Sequence, residues 1–177
     1  FRVLELDKKN VIEYDVNSTK KLQINKISIN SQIELVELLN ENVDLVHGSS
    51  TFLKNLTTDI LFFNKKLSND EVLEEIYKLK IQKSHDQIKY ILDNINNPEY
   101  ENKIIFGTKE TKQYTELSMI SKLFIHESIY RRFLNKYREY INFTVVEIKN
   151  LEYGDISDTL KKEYNCCVGE LYYKKNF

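Results

Sequence analysis

The 177-residue chain has no alanine and no tryptophan, a single proline, a single methionine, four glycines and two cysteines. With so little glycine and proline there is no Gly/Ser/Pro-rich linker, so a domain boundary has to be read from the order of elements. The two cysteines, Cys166 and Cys167, are neighbours and cannot staple distant segments. A disulfide framework is therefore not expected, and a reducing, cytoplasmic compartment is. No apolar run approaches the length needed to span a bilayer, and no signal peptide is visible. The chain opens at Phe1 and its one methionine is Met119, from which a preceding N-terminal portion is expected. Missing alanine alongside abundant Lys, Asn, Ile and Tyr reads as the codon bias of an AT-rich genome, not as a functional signal. His47, His85 and His126 fall in separate elements without metal-ligand spacing, and no Cys-x-x-Cys occurs, so no metal site is expected. Nucleophile elbow, paired-carboxylate motif, P-loop and dinucleotide fingerprint are all missing. Neither an enzyme nor a cofactor is indicated.

What is present is an ordinary folded composition, 41% hydrophobic and 30% charged, long enough for one domain or two small ones. The formal net charge of −1 supplies no global field for nucleic acid, so any RNA contact must be a local patch. The stretch Lys103–Phe177 is the most regular. Lys103–Phe106 is a short apolar run closed by Gly107, with a helix-compatible segment after it. A second apolar run, Met119–Ile125, precedes a helix over Ser128–Ile141, where Ile129, Phe133, Leu134, Tyr137 and Ile141 share one face. Phe143–Ile148 is rich in β-branched and aromatic residues, Asp155 is placed to cap a helix Ile156–Tyr164, and Cys167–Tyr173 reads as a closing strand. Strands alternating with helices at this spacing predict an α/β/α layered domain. Phe106, Ile125, Val145, Ile148 and Leu171 are expected to point between sheet and helices.

In the first half, Arg2–Leu6 and Val11–Val16 alternate around Asp7–Asn10 as a hairpin does, and Leu22–Ile29 is a candidate third strand. Ser31-x-x-Glu34 is a capping box opening a helix to Asn40. Val43–Val46 reads as a buried strand, His47–Thr51 as a loop, Phe52–Leu56 as a short helix and Ile60–Phe63 as another strand. Two further capping boxes, Ser68-x-x-Glu71 and Ser84-x-x-Gln87, predict helices Asp70–Lys80 and Asp86–Asn96, the second ended by Pro98. Recurrence of the α/β order divides the chain into two small α/β domains, 1–80 and 81–177.

Chemically suggestive residues are few. The His47-Gly-Ser-Ser segment lies between strand and helix, where backbone N–H groups can hold a phosphate, but it lacks the Gly-rich run and Lys of a P-loop and is better read as a tight turn. Val146-Glu-Ile-Lys149 has the Glu-x-Lys half of a nuclease metal site, and equally suits a solvated strand edge. Cys166 and Cys167 read as small buried side chains. Arg131, Arg132, Lys136 and Arg138 share a helix with Tyr130, Tyr137 and Tyr140, while Lys20, Lys21 and Lys26 follow the first hairpin. A basic, aromatic-studded surface suits RNA. A solvated helix face offset by Glu127 and Glu139 fits the same residues.

From Asn102 to Arg132 the sequence NKIIFGTKETKQYTELSMISKLFIHESIYRR resembles the opening of the C-terminal domain of Pelota and the class-I translation release factors. The shared pattern is an aromatic-Gly step, here Phe106-Gly107, then a helix, then a strand, here Leu123–Arg131. Val145–Phe177 resembles that domain's closing strand, helix and strand. Arg2–Val16 is similar to the opening hairpin of the family's middle domain, Val43–Phe52 to its "VVLASPGF" segment with Ser50-Thr51 in place of Pro-Gly, and Ile60–Lys80 to its later strand and helix. Neither the family's N-terminal Sm-like domain nor the release factors' Gly-Gly-Gln is found in this chain, which favours Pelota over a terminating factor. The resemblance implies a non-enzymatic, ribosome-associated factor for rescue of stalled ribosomes and mRNA surveillance. Its partners would be ribosomal RNA, a translational GTPase and a ribosome-splitting ATPase, and Ser50, Thr51 and Phe52 would face a partner. A ribosome-bound structural or dormancy protein that kept the fold but lost rescue activity, and a nuclease built on Glu147 and Lys149, are the competing readings.

Overall fold

Alternating apolar residues set the first pairing: β1 (Arg2–Lys8) and β2 (Asn10–Val16) run antiparallel with Asp7 opposite Asn10. Lys8 closes the turn between them at a φ of +55°. β3 (Lys21–Ser28) pairs antiparallel with β2, β4 (Leu45–Ser50) pairs parallel with β1, and β5 (Leu61–Phe63) parallel with β4. The resulting order is β3-β2-β1-β4-β5. The computed structural model describes residues 1–17, 19–53 and 60–175. It divides the chain into two compact units, Phe1–Lys80 and Ile81–Phe177.

In the first unit, α1 (Gln32–Leu39) covers one sheet face, burying Leu35 and Leu39 against Leu4, Leu6, Val11 and Val46. Ser31 caps it by accepting from the Glu34 N–H, but the Glu34 carboxylate accepts from the Asn30 N–H one residue upstream of the capping-box position. The opposite face buries Val3, Val16 and Leu45 against Val72 and Ile76 of α2 (Asn69–Asp93). Two expectations are corrected here. The His47–Ser50 segment is not a loop but the body of β4, which begins at Leu45 and not at Val43. Parallel pairing to β1 carries the ladder through Gly48 to Ser50. Second, the helices expected at Asp70–Lys80 and Asp86–Asn96 are one helix of 25 residues. Nothing between Asn69 and Asn97 breaks a helix, and Ser84, expected to cap, is buried with its hydroxyl bonded to that of Tyr153. The short helix expected at Phe52–Leu56 extends into residues outside those described.

The second unit takes α2 from Ile81 onward and builds a sheet of order β6-β9-β7-β8 from β6 (Ile104–Phe106), β7 (Ile120–His126), β8 (Thr144–Ile148) and β9 (Cys167–Leu171). One face buries Phe124, Ile148 and Val168 against Ile88, Ile91 and Ile95 and against Tyr153 and Leu160, which lie on α5 (Asn150–Tyr153) and α6 (Asp155–Glu163). The other buries Ile105, Leu123, Ile125, Cys167 and Leu171 beneath α3 (Gly107–Glu116) and α4 (Glu127–Tyr137). This is the layered α/β/α arrangement read from the sequence. Ile125, Ile148 and Leu171 are buried as expected and Val145 is half-buried, but Phe106 is 49% exposed. Phe106 ends its strand at the helix N-cap and only edges onto Tyr164, ring centres 5.8 Å apart. Gly154, not Asp155, caps α6, and the helix expected from Ser128 to Ile141 ends at Tyr137.

Candidate nucleic-acid interface

α4 is held at its start by His126, whose Nδ1 accepts from the Ser128 N–H at 3.1 Å. That bond leaves the neutral ring's proton on Nε2, which donates to Asn150 Oδ1 at 3.4 Å; Ser157 donates to the same oxygen at 2.5 Å. Phe133 and Tyr137, one turn apart with ring centres at 4.8 Å, anchor the helix in the core. Residues at spacings of three, four, seven and eight from Ile129 lie on the same side of the helix. Arg132 and Lys136 therefore stand at the edge of the anchored stripe. α3 faces them. Its Thr111 and Thr115 are buried, each hydroxyl donating back to the carbonyl four residues earlier, at 2.8 and 2.6 Å. These bonds satisfy polar groups that would otherwise be costly on a packed face.

Between the two helices runs a groove of about 500 Å³, lined by Lys109, Lys112, Arg132 and Lys136, with Ile129, Phe133, Tyr137 and Cys167 among its apolar lining. Among the described residues, no carboxylate lines it. Four cations concentrated on a protein of net charge −1 make a local positive field suited to a polyanion. Burial pushes the Cys167 thiol up to about 12, against a weaker opposing bond from Thr111, which disfavours the nucleophilic thiolate there.

The structure thus joins Arg132 and Lys136, singled out from the sequence, to Lys109 and Lys112, which were missed. The signal for that pair was their three-residue spacing on a helix covering the same sheet face as α4. Arg131 is exposed but lies outside the groove. In the first unit Lys20 and Lys26 are exposed. Lys21 is not an open contact: its ammonium sits 3.6 Å from Glu5, 3.8 Å from the Tyr14 ring centre, and donates to Asn69. The segment expected to face a partner is tied into its own unit. Ser50 donates to the Lys8 carbonyl at 2.8 Å and accepts from the Phe52 N–H, Phe52 packs on the α1 side of the core, and only Thr51 is exposed. Glu147 and Lys149 do not share a strand face, since Lys149 caps α5 beyond the end of β8. They form a 3.9 Å ion pair that Glu152 joins at 3.8 Å.

A further polar cluster went unread. Glu5 and His47 are cross-strand partners, both buried, with His47 Nε2 3.9 Å from the carboxylate and Lys66 paired to it at 2.9 Å. Burial works to raise the Glu5 pKa, but the hydrogen bond from Lys66 and the charges of Lys66, Lys21 and His47 bring it below the ordinary value. His47 Nδ1 accepts from the Leu67 N–H at 3.0 Å, and burial lowers the imidazole to about 4.

Two small α/β units of this kind, joined in one chain, define a fold shared with translation factors. Solved structures with a similar fold include archaeal Pelota in a ribosome-bound assembly with ABCE1 (TM-score 0.55, 12% identity, 99% of this chain and 62% of that one). Saccharomyces cerevisiae Dom34, described as a translation termination-like factor of RNA quality control that interacts with Hbs1, matches with a TM-score of 0.51 at 12% identity over 99% and 63% of the two chains. Archaeoglobus fulgidus Pelota matches with a TM-score of 0.50 at 12% identity over 98% and 64%. The chain spans less than two thirds of the length of each of these proteins. No protein-family model and no curated protein matches the sequence. The likeness is one of fold.

Proposed function

We propose that the chain is a ribosome-associated, Pelota-like factor acting in rescue of stalled ribosomes and mRNA surveillance, a binding module without peptide-release activity. The observation that carries this reading is the likeness to Pelota and Dom34 over 98–99% of the chain. The α3–α4 groove supports it, offering Lys109, Lys112, Arg132 and Lys136 to RNA phosphates, with exposed Arg131, Lys20 and Lys26 as auxiliary contacts. As the family resemblance implies, its partners would be a translational GTPase and a ribosome-splitting ATPase; the proteins named with its structural neighbours are Hbs1 and ABCE1. The chain's four glycines are isolated from one another, so it contains no Gly-Gly-Gln, and peptidyl-tRNA hydrolysis by the release-factor route has no residues to run on.

Co-sedimentation with ribosomes across a salt series tests the reading. Binding should weaken steeply with salt. Replacing Lys109, Lys112, Arg132 and Lys136 by Ala should flatten the slope of log affinity against log salt by about one for each phosphate that the variant no longer neutralises. No ribosome binding, or a slope unchanged in the fourfold variant, overturns the assignment. Ribosome binding without rescue of stalled complexes would favour the dormancy reading.

A further inference from the structure

The opposite face of the second unit's sheet carries a cavity of about 320 Å³. Its floor is apolar and buried: Ile91 from α2, Ile104 from β6 and Phe124 from β7. Tyr90 and Tyr100 line it as an edge-to-face pair, ring centres 5.8 Å apart and hydroxyls 2.7 Å apart. A small concave site with an apolar floor and a few polar groups is the usual form of a pocket for a flat ring system.

Two lining side chains of opposite charge stand on adjacent strands. Lys122 of β7 and Glu170 of β9 are register partners, and Lys122 precedes Phe124 by two residues, on the same sheet face. The Lys122 ammonium donates to Gln87 Oε1 and lies 5.5 Å from the centre of the Phe124 ring. Burial lowers its pKa and the Glu170 charge opposes that, yet the two groups make no direct ion pair among the described residues. An ammonium has three N–H donors. Gln87 takes one, leaving two for a ligand beside a two-oxygen acceptor.

A donor next to a bidentate acceptor, above an apolar floor, complements a ring edge with a carbonyl beside two N–H groups. Guanine has that edge, O6 next to N1–H and N2–H. Adenine would set its amino group against the ammonium, and uracil would leave one carboxylate oxygen without a donor. We infer that this cavity binds guanine, with Lys122 donating to O6, Glu170 accepting from N1–H and N2–H, and the ring resting on Ile91, Ile104 and Phe124. The guanine can belong to a free nucleotide or to an unpaired residue of RNA. None of these residues lines the α3–α4 groove, so loss of ribosome binding in the groove variant leaves the pocket intact.

The test is titration of the ¹⁵N-labelled full chain with GMP, AMP and UMP, followed by amide chemical shifts. GMP should give saturable shifts at Lys122, Phe124 and Glu170 and bind about tenfold tighter than AMP or UMP. Lys122→Met keeps the length of the half-buried side chain and Glu170→Gln alters an exposed position, so both should keep the folded spectrum. Each should weaken GMP binding about tenfold. Absence of saturable shifts up to about 5 mM GMP, equal binding of AMP or UMP, or undiminished binding to Glu170→Gln would overturn the assignment. A second arm compares GMP with hexaadenylate carrying one central guanosine. Tighter binding of the oligomer identifies the source as an RNA base, and tighter binding of GMP identifies a free nucleotide.

Discussion

Single residues in this fold are decided by what faces them across a strand pair. A Cβ at Gly48 would sit 2.1 Å from the Leu6 carbonyl oxygen, and the residue already holds φ +101°. Gly48→Ala should therefore cost about 3 kcal/mol or more in denaturant unfolding, since both backbone strain and a backbone clash oppose it. Its neighbour His47 should make the protein acid-sensitive. The imidazole, near 4 in the fold against about 6.5 unfolded, binds its proton earlier in the unfolded chain. Stability is then full above pH 6.5, falls as pH drops towards 4 and levels off below. Between pH 8 and 5 the loss should be on the order of 2 kcal/mol. Glu5, lowered in the fold, adds its own loss as pH falls below the ordinary carboxylate range. In His47→Gln, denaturant unfolding at pH 8 and 5 should differ by less; an unchanged difference would exclude His47 as the source. On β8 the buried Ile148 and half-buried Glu147 separate packing from surface charge. Ile148→Ala should cost about 2–5 kcal/mol, Glu147→Ala under about 1 kcal/mol, and equal costs would mean that the strand's faces are misassigned.

At the scale of elements, α2 is the instructive case. Its apolar positions Val72 and Ile76 and then Ile88 and Ile91 keep helical spacing with no glycine or proline to interrupt them. Ser84-x-x-Gln87 had the form of a capping box, yet a capping motif only starts a helix where the preceding turn is free to unwind. Here that turn is helical, and the Gln82 amide donates to Asp86 one turn on at 2.9 Å. Gln82→Gly should cost about 1 kcal/mol and Gln82→Pro about 3 kcal/mol, measured by thermal unfolding and loss of helical circular dichroism. A linker at this position would absorb both changes without cost.

For the molecule as a whole, near-neutral net charge and a concentrated basic groove belong together. On the proposed function, balanced charge elsewhere would limit indiscriminate binding to nucleic acid, while Lys109, Lys112, Arg132 and Lys136 would set a local, salt-sensitive contact. Double substitution Lys109→Ala with Lys112→Ala should weaken ribosome binding as much as Arg132→Ala with Lys136→Ala, because the four line one groove. Both pairs are helix surface positions, so melting temperatures should barely move. Peptide release from stop-codon complexes should stay at background whatever the groove carries; release well above background would remove the rescue-factor reading.

Most strands and helices, the hairpin of β1 and β2, the closing strand and the α/β class were legible in the sequence, because periods of two and near four residues are local properties of the chain. The extension of β4 through His47–Ser50 and the continuity of α2 were not. Local pattern could also propose Arg132 and Lys136. It could not bring Lys109 and Lys112 to them, set Glu5 against His47, or place Lys122 beside Glu170. Those meetings depend on which strands adjoin and which helices share a face, as β9 does in separating β6 from β7. Phe106 shows the same limit in reverse: its strand was foreseen, but the pairing of a short edge strand left its ring outside. Sequence determined the elements because backbone propensity and apolar period act within a few residues. Tertiary structure alone decided the sites, because a site is a distance between residues far apart in the chain.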